Sequence, residues 1–304
     1  MPHSATALAK AEDYFTFLAA ARRIVEASSE ITLHLDRIDP LVEHAKGWDF
    51  PDWSFHLAEP RETSIARGVM EFVSNAALNG GYFEMREDGI AKWEADGSGS
   101  KALLEWIATM RELGLWPGDD LLGARAARSA LAPHVARLPF AAERLEILSE
   151  LADPARRQRV VDDLVGSSDA VGAWIFGVPQ ARLLARAFPA GFGGDPFMKK
   201  ACLALLMIAG WLHHAKGRKV ICQLPIPADY QIPRILAWKG VIEVSDGFAA
   251  EIKNEGKLLD VESPGVTAMR AAAIVAAHEI GRRAGKPDVV VDGALFIPFR
   301  RDPD

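Results

Sequence analysis

Residues 195–214 read Asp-Pro-Phe-Met-Lys-Lys-Ala-Cys-Leu-Ala-Leu-Leu-Met-Ile-Ala-Gly-Trp-Leu-His-His. From 201 to 212 the stretch is apolar on every side of a helical wheel, with Gly210 as its one weak helix former. A surface helix carries a single apolar stripe, whereas one that is greasy all round belongs inside a bundle. Asp195 can cap it and Pro196 suits a first helical position. The sequence therefore predicts a central helix over 195–214. Its apolar run is too short to cross a bilayer, which takes about 20 such residues.

A central helix needs others around it, and the chain offers them. Residues 7–27 place Tyr14, Phe15, Leu18, Ala21, Ile24 and Val25 at helical spacing, and 100–113 place Leu103, Leu104, Ile107 and Met110 on one stripe before Gly114. Stretches 67–78, 121–131, 141–152, 156–164 and 169–175 read the same way. Strand-like pieces are few: 220–224, 82–85 with 90–93, and 289–291. The fold class expected is mainly α, a compact helical fold with small β additions. Pro179, Pro189 and residues 190–194 mark the best candidate boundary. The greasy helix that follows cannot stand without the N-terminal helices, so 1–304 is read as a single compact domain of two lobes, roughly 1–190 and 191–304.

At 304 residues with 49% hydrophobic and 25% charged side chains, the composition is that of a globular chain with a substantial core. Lys and Arg number 35 against 41 Asp and Glu, for a net charge of -6; a duplex binder usually carries a basic excess. Cys202 and Cys222 sit among apolar neighbours, as buried free thiols of a reducing compartment do. No basic-then-apolar leader opens the chain. A cytoplasmic protein without membrane contact is expected.

Familiar motifs are missing. His278-Glu279 lacks the second zincin histidine, since position 282 is Arg. His213 and His214 point about 100° apart on a helix. There is no phosphate loop ending in Gly-Lys-Ser/Thr and no Gly-x-Ser-x-Gly elbow. Gly191, Gly193 and Gly194 follow no clear strand, so they make no dinucleotide fingerprint. No metal or cofactor is implied.

The informative segment is Pro225-Ile-Pro-Ala-Asp-Tyr-Gln-Ile-Pro-Arg234. Two prolines fix an extended approach, and 235–239 followed by Gly240 read as a short helix with its stop. Asp229 then falls at a helix N-terminus. A simple capping aspartate satisfies that pattern. So does a carboxylate held ionised on rigid backbone, suited to stabilising or attacking a cation. Lys199-Lys200 open the central helix, where the dipole opposes them by roughly 0.3–1 kcal/mol each. They are either solvated surface lysines or partners of an anion, and phosphate is the usual occupant of such a site. In Leu78-Asn-Gly-Gly-Tyr-Phe83, the aromatics either complete the core or stack on a planar base. Asp292, after Val289-Val-Val291, reads most simply as a turn aspartate.

In this order the pieces resemble the queuosine salvage protein family, the queuosine 5′-phosphate N-glycosylases. The matching pieces are Leu78 to Phe83, Pro139 to Arg144, Phe197 to Ala201, Ala228 to Pro233 and Gly240 to Ser245, then Arg270 with 271–279, and Asp292 to Phe296. The most specific of them is Ala-Asp-Tyr-x-x-Pro with the upstream lysine pair. The resemblance implies a fold similar to the helix-hairpin-helix DNA glycosylases and hydrolysis of a modified nucleoside 5′-monophosphate to free base and ribose 5-phosphate. It implies Asp229 as catalytic, with Tyr230 its pocket neighbour. Lys199 and Lys200 lie near the phosphate and Tyr82 and Phe83 by the base, with Asn79, Phe197 and Asp292 also on the substrate. Departures at Gly80, at Gly99-Ser100-Lys101 and at Pro264-Gly265-Val266-Thr267 fall on the base side.

Two rivals belong to other classes. A nucleic-acid binding or repair module would use Pro264-Gly265-Val266 on a backbone phosphate and a patch of Arg282, Arg283, Lys286, Arg300 and Arg301. A catalytically silent homologue would keep only the nucleotide's phosphate end. The sequence assigns no oligomeric state.

Overall fold

The computed structural model describes residues 2–86, 89–92, 99–116, 124–167, 172–254 and 258–299. It is mainly helical. In chain order the elements are α1 (Pro2–Lys10), α2 (Tyr14–Glu26), β1 (Ile31–Leu33), α3 (Asp39–Lys46), α4 (Ile65–Leu78), β2 (Phe83–Arg86), β3 (Gly89–Lys92), α5 (Ser100–Glu112), α6 (Ala124–Val135), α7 (Ala141–Leu151), α8 (Pro154–Val165), β4 (Trp174–Gly177), α9 (Val178–Ala187), α10 (Pro189–Phe192), α11 (Lys199–His214), β5 (Val220–Gln223), α12 (Gln231–Trp238), β6 (Ile242–Val244), α13 (Asp246–Ile252), α14 (Pro264–Ala284) and α15 (Asp288–Phe299).

The greasy stretch forms α11 and is buried as its composition demands: Ala201, Cys202 and every residue from Ala204 to Leu212 lie inside. It packs along α4, and α14 packs on α2 and α3. The α4–α11 approach is close because Gly68 lacks a side chain; a Cβ there would overlap the Trp211 ring, and one at Gly210 would overlap the Pro51 carbonyl. One apolar cluster runs from Leu8 through Phe72, Leu205 and Ile274 to Leu295. Each fully buried Leu or Ile in it contributes about 1.5–3 kcal/mol of transfer free energy.

The β additions are three two-stranded pairings among the described residues. β1 and β6 are antiparallel, with Ile31 opposite Val244. β2 and β3 are antiparallel, with Phe83 opposite Lys92, close to the expected hairpin; Trp93 lies outside the described residues. β4 and β5 are parallel, with Trp174 opposite Val220.

Several expectations are corrected. The helix expected over 7–27 is two helices, because Asp13 caps α2: its carboxylate accepts from the Thr16 N–H at 2.9 Å, and the Thr16 hydroxyl accepts from the Asp13 N–H. The central helix starts at Lys199 rather than Pro196, since Met198 takes a left-handed conformation (φ 53°) that a helix cannot continue through. The helix expected over 169–175 ends instead as strand β4, with 168–171 outside the described residues. Likewise the start of the helix expected over 121–131 lies outside them, and α6 begins at Ala124. Val289 to Val291 are not a strand but the first turns of α15, all three buried. A short apolar run fits a buried helix as well as a buried strand, and here tertiary burial overrides the β preference of valine. Asp292 is therefore not a turn residue: it sits inside a helix and is buried.

Candidate active site

The two prolines before Asp229 deliver a buried approach, Leu224 to Ala228, and then one partly exposed carboxylate. Asp229 Oδ1 accepts from the Gln231 N–H at 2.7 Å, the first residue of α12. This is the helix-end placement the sequence indicated. The other oxygen, Oδ2, lies 3.5 Å from Lys199 Nζ, and that ammonium also donates to Asn79 Oδ1 at 3.1 Å. Asp229, Lys199 and Asn79, separated by up to 150 positions in the chain, thus meet at one point.

The lysine pair has partners within the protein. Helix α4 ends at Leu78, leaving carbonyls without intrahelical donors. Lys200 Nζ donates to Ala77 O at 2.8 Å, and Lys199 Nζ lies 3.5 Å from Asn79 O. The buried Arg144 donates to Leu78 O at 2.9 Å and to Gly80 O at 2.6 Å. Three cations so converge on the negative end of one helix, the placement the helix dipole favours. Burial and the neighbouring charges of Lys199 and Arg144 push the Lys200 ammonium down to about 8. The first N–H of α11 is also claimed: the Asp195 carboxylate accepts from Lys199 N at 2.9 Å, and from Phe197 N, two residues before the helix, at 3.1 Å. Asp195 thus places a carboxylate of the chain's own at that helix start.

Arg270 ties the pieces together. Its guanidinium donates to Asp195 Oδ2 and to Ala228 O, each at 2.8 Å, and lies 4.3 Å over the Phe197 ring. Burial alone would raise the Asp195 carboxyl; Arg270 and the backbone donors outweigh it and hold it below its ordinary value. Phe197 is 1% exposed beneath this guanidinium. Its ring packs inside the protein, under the guanidinium that holds Ala228 O.

Asp292, on α15, is the buried carboxyl whose ionisation the charges of Asp229 and Lys199 reach. It is 5% exposed, and no hydrogen bond to a described residue offsets its burial. Burial first, and then the Asp229 charge, push its carboxyl up to about 8, with Lys199 opposing. It also bears on Cys202, one turn beyond Lys199 on the same face of α11. A buried carboxyl thus feels the Asp229–Lys199 pair, whose oxygen and nitrogen lie 3.5 Å apart.

The aromatics form one side. Tyr82 packs on the core, and its buried hydroxyl has no hydrogen-bond partner among the described residues; burial pushes the phenol well above its ordinary value, with Tyr230 and Asp229 adding to the rise and Arg144 opposing it. Phe83 meets Tyr230 edge to face, centroids 6.3 Å apart, and Tyr230 is 48% exposed. The buried Gln231 Oε1 is also unpartnered among the described residues.

The backbone marks the same place. Among the described residues only Phe140 (φ 54°) and Met198 (φ 53°) are non-glycines at positive φ. Met198 immediately precedes Lys199, and Phe140 opens the helix carrying Arg144. Such conformations cost about 1–3 kcal/mol each and cluster at functional sites. Both flank this one.

Several residues named for nucleic-acid contact engage the protein itself. Gly265 is buried under the Phe248 ring, and the start of α14 is capped by Ser263, whose hydroxyl accepts from Val266 N at 3.3 Å. Arg282 and Arg283 are both paired with Glu279, and Arg283 also with Asp39. Arg300 and Arg301 lie outside the described residues. No helix among the described residues is long and apolar enough to cross a membrane. No family model matches the chain, and no curated protein matches it.

Proposed function

We propose that the chain hydrolyses the N-glycosidic bond of a modified nucleoside 5′-monophosphate of the queuosine 5′-phosphate kind, releasing the free base and ribose 5-phosphate. The observation that carries the reading is the carboxylate of Asp229, clamped between the Gln231 N–H and the Lys199 ammonium. As the C1′–N bond lengthens, the ribose becomes oxocarbenium-like, and a fixed anion near C1′ stabilises that charge without reorganising. A water then adds to C1′.

Tyr82, Phe83 and Tyr230 offer aromatic surface to a planar base, while Lys199 and Asn79 serve the sugar-phosphate end. The phosphate supplies remote binding energy that positions the sugar. A phosphate entering beside Lys200 would also favour the charged form that burial now disfavours.

The test is incubation with a panel of nucleoside 5′-monophosphates, queuosine 5′-phosphate among them, with free base detected by mass. Release of a base and ribose 5-phosphate in equal amounts supports the reading. No release from any member refutes it.

A further inference from the structure

Lys199 opens α11 and Asp229 precedes α12, and their charged ends stand 3.5 Å apart. A carboxylate and an ammonium left to themselves close to about 2.7–2.9 Å. Their mutual attraction therefore does not set the gap.

The backbone that carries them does. Asp195 Oδ2 accepts from the Lys199 N–H at 2.9 Å, and the same oxygen accepts from Arg270 Nη2 at 2.8 Å. Arg270 Nε donates to Ala228 O, again at 2.8 Å. These three hydrogen bonds form an unbroken link from the main chain of Lys199 to the residue before Asp229. Each member of the link is itself held. The Arg270 guanidinium lies 4.3 Å over the buried Phe197 ring. Asp195 Oδ1 accepts from the Phe197 N–H at 3.1 Å. Ala228 is fully buried, and its own N–H donates to Ile226 O at 2.8 Å across Pro227. Beyond the link, the Gln231 N–H fixes Asp229 Oδ1, and Asn79 Oδ1 takes the Lys199 ammonium from its other side. A planar guanidinium offers donors in a rigid fork, so it can span a carboxylate and a carbonyl at fixed separation.

We infer that Arg270 and Asp195 are positioning residues that keep the Asp229 carboxylate from collapsing onto the Lys199 ammonium, and so leave Oδ2 open to the sugar carbon. The inference rests on the N-glycosidic reading above. A carboxylate in close contact with an ammonium has its charge answered already and offers less to a cation that develops later; preorganisation means holding it short of that contact. Both described hydrogen bonds of Arg270 go to the protein, so it acts through Ala228 and Asp195 rather than on the substrate.

The experiment compares wild type with Arg270→Met, which removes both bonds of the guanidinium and leaves Asp195 its two backbone donors. Thermal melts establish that the variant is folded. If it is not, Arg270→Lys, which keeps the charge and loses the fork, takes its place with the same expected outcomes. The first readout needs no substrate. A crystal structure of the variant should show Lys199 Nζ and Asp229 Oδ2 closed from 3.5 Å to about 2.7–2.9 Å. A gap that stays or widens overturns the inference. The second readout uses the nucleotide found by the panel, with the dissociation constant and binding stoichiometry from calorimetry set beside the single-turnover rate. The variant should bind within a few-fold of wild type at full stoichiometry and react about 10–10²-fold more slowly, the scale of a sub-ångström to 1 Å misplacement. A rate near that of wild type overturns the inference and leaves the N-glycosidic reading standing. So does a loss that appears as weaker binding or as missing binding sites, which a role in substrate contact or in folding alone would give. If wild type releases no base from any member of the panel, the N-glycosidic reading itself fails, and the crystal structure still decides whether Arg270 sets the gap.

Discussion

Asp292→Asn makes a prediction that needs no substrate. In the folded chain the Asp292 carboxyl rises from 3.8 to about 8. Between those values the native state holds a proton that the unfolded chain has released, so the fold loses stability as pH rises from about 4 and stops losing it above about 8. Roughly four pH units at about 1.4 kcal/mol each set an upper bound of about 6 kcal/mol. Relaxation and water entry around a buried carboxyl reduce that to about 2–3 kcal/mol. Asparagine has similar shape and does not titrate. Urea unfolding followed by tryptophan fluorescence, in wild type and variant at pH 5 and pH 9, measures the difference. The variant should gain about 2 kcal/mol on wild type between the two pH values. Asp229→Asn, which removes the charge that helps raise Asp292, should shrink the wild-type pH dependence. A stability gap between Asp292→Asn and wild type that is the same at both pH values would refute the reasoning.

Two further outcomes follow from packing and hydrogen bonding. Gly68→Ala drives a methyl group into the Trp211 ring and should cost about 1–3 kcal/mol of unfolding free energy by overpacking, read in the same urea experiment. Tyr82→Phe removes a buried hydroxyl that has no described partner. It should leave stability unchanged or raise it by up to about 1 kcal/mol, while raising KM for the nucleotide; a destabilised variant with normal KM would show that the hydroxyl serves the fold instead.

How much of this was legible in the sequence depends on the range over which each signal acts. α11 and α4 announced themselves because apolar spacing is local, and Asp229 did so because prolines and a helix stop punctuate its own neighbourhood. The break between α1 and α2 is also local: Asp13 and Thr16 form the capping pattern that ends one helix and starts the next, though the apolar spacing runs on across it. α15 was not legible, because three consecutive valines fit a buried strand as well as a buried helix until α14 and α12 are in place around them. Asp292 carries the same ambiguity, since its place in a turn or a helix depends on that of the valines. The lysine pair stands out in sequence as cations where a dipole opposes them, but its partners lie far along the chain. The compensating groups are the carbonyls at the end of α4, about 120 residues earlier, and Asp195 through a guanidinium 75 residues later. Arg144 and Arg270 read as parts of helices; only the fold shows each buttressing one half of the site. No spacing rule reaches across such distances.

The central claim is that the Asp229 carboxylate stabilises a cationic sugar carbon. The most direct measurement is Asp229→Asn on the nucleotide identified by the panel, with dissociation constant and single-turnover rate determined side by side. The account predicts a dissociation constant within a few-fold of wild type and a rate lower by roughly 10²–10⁴-fold. A variant that binds as wild type and turns over at near its rate would contradict it.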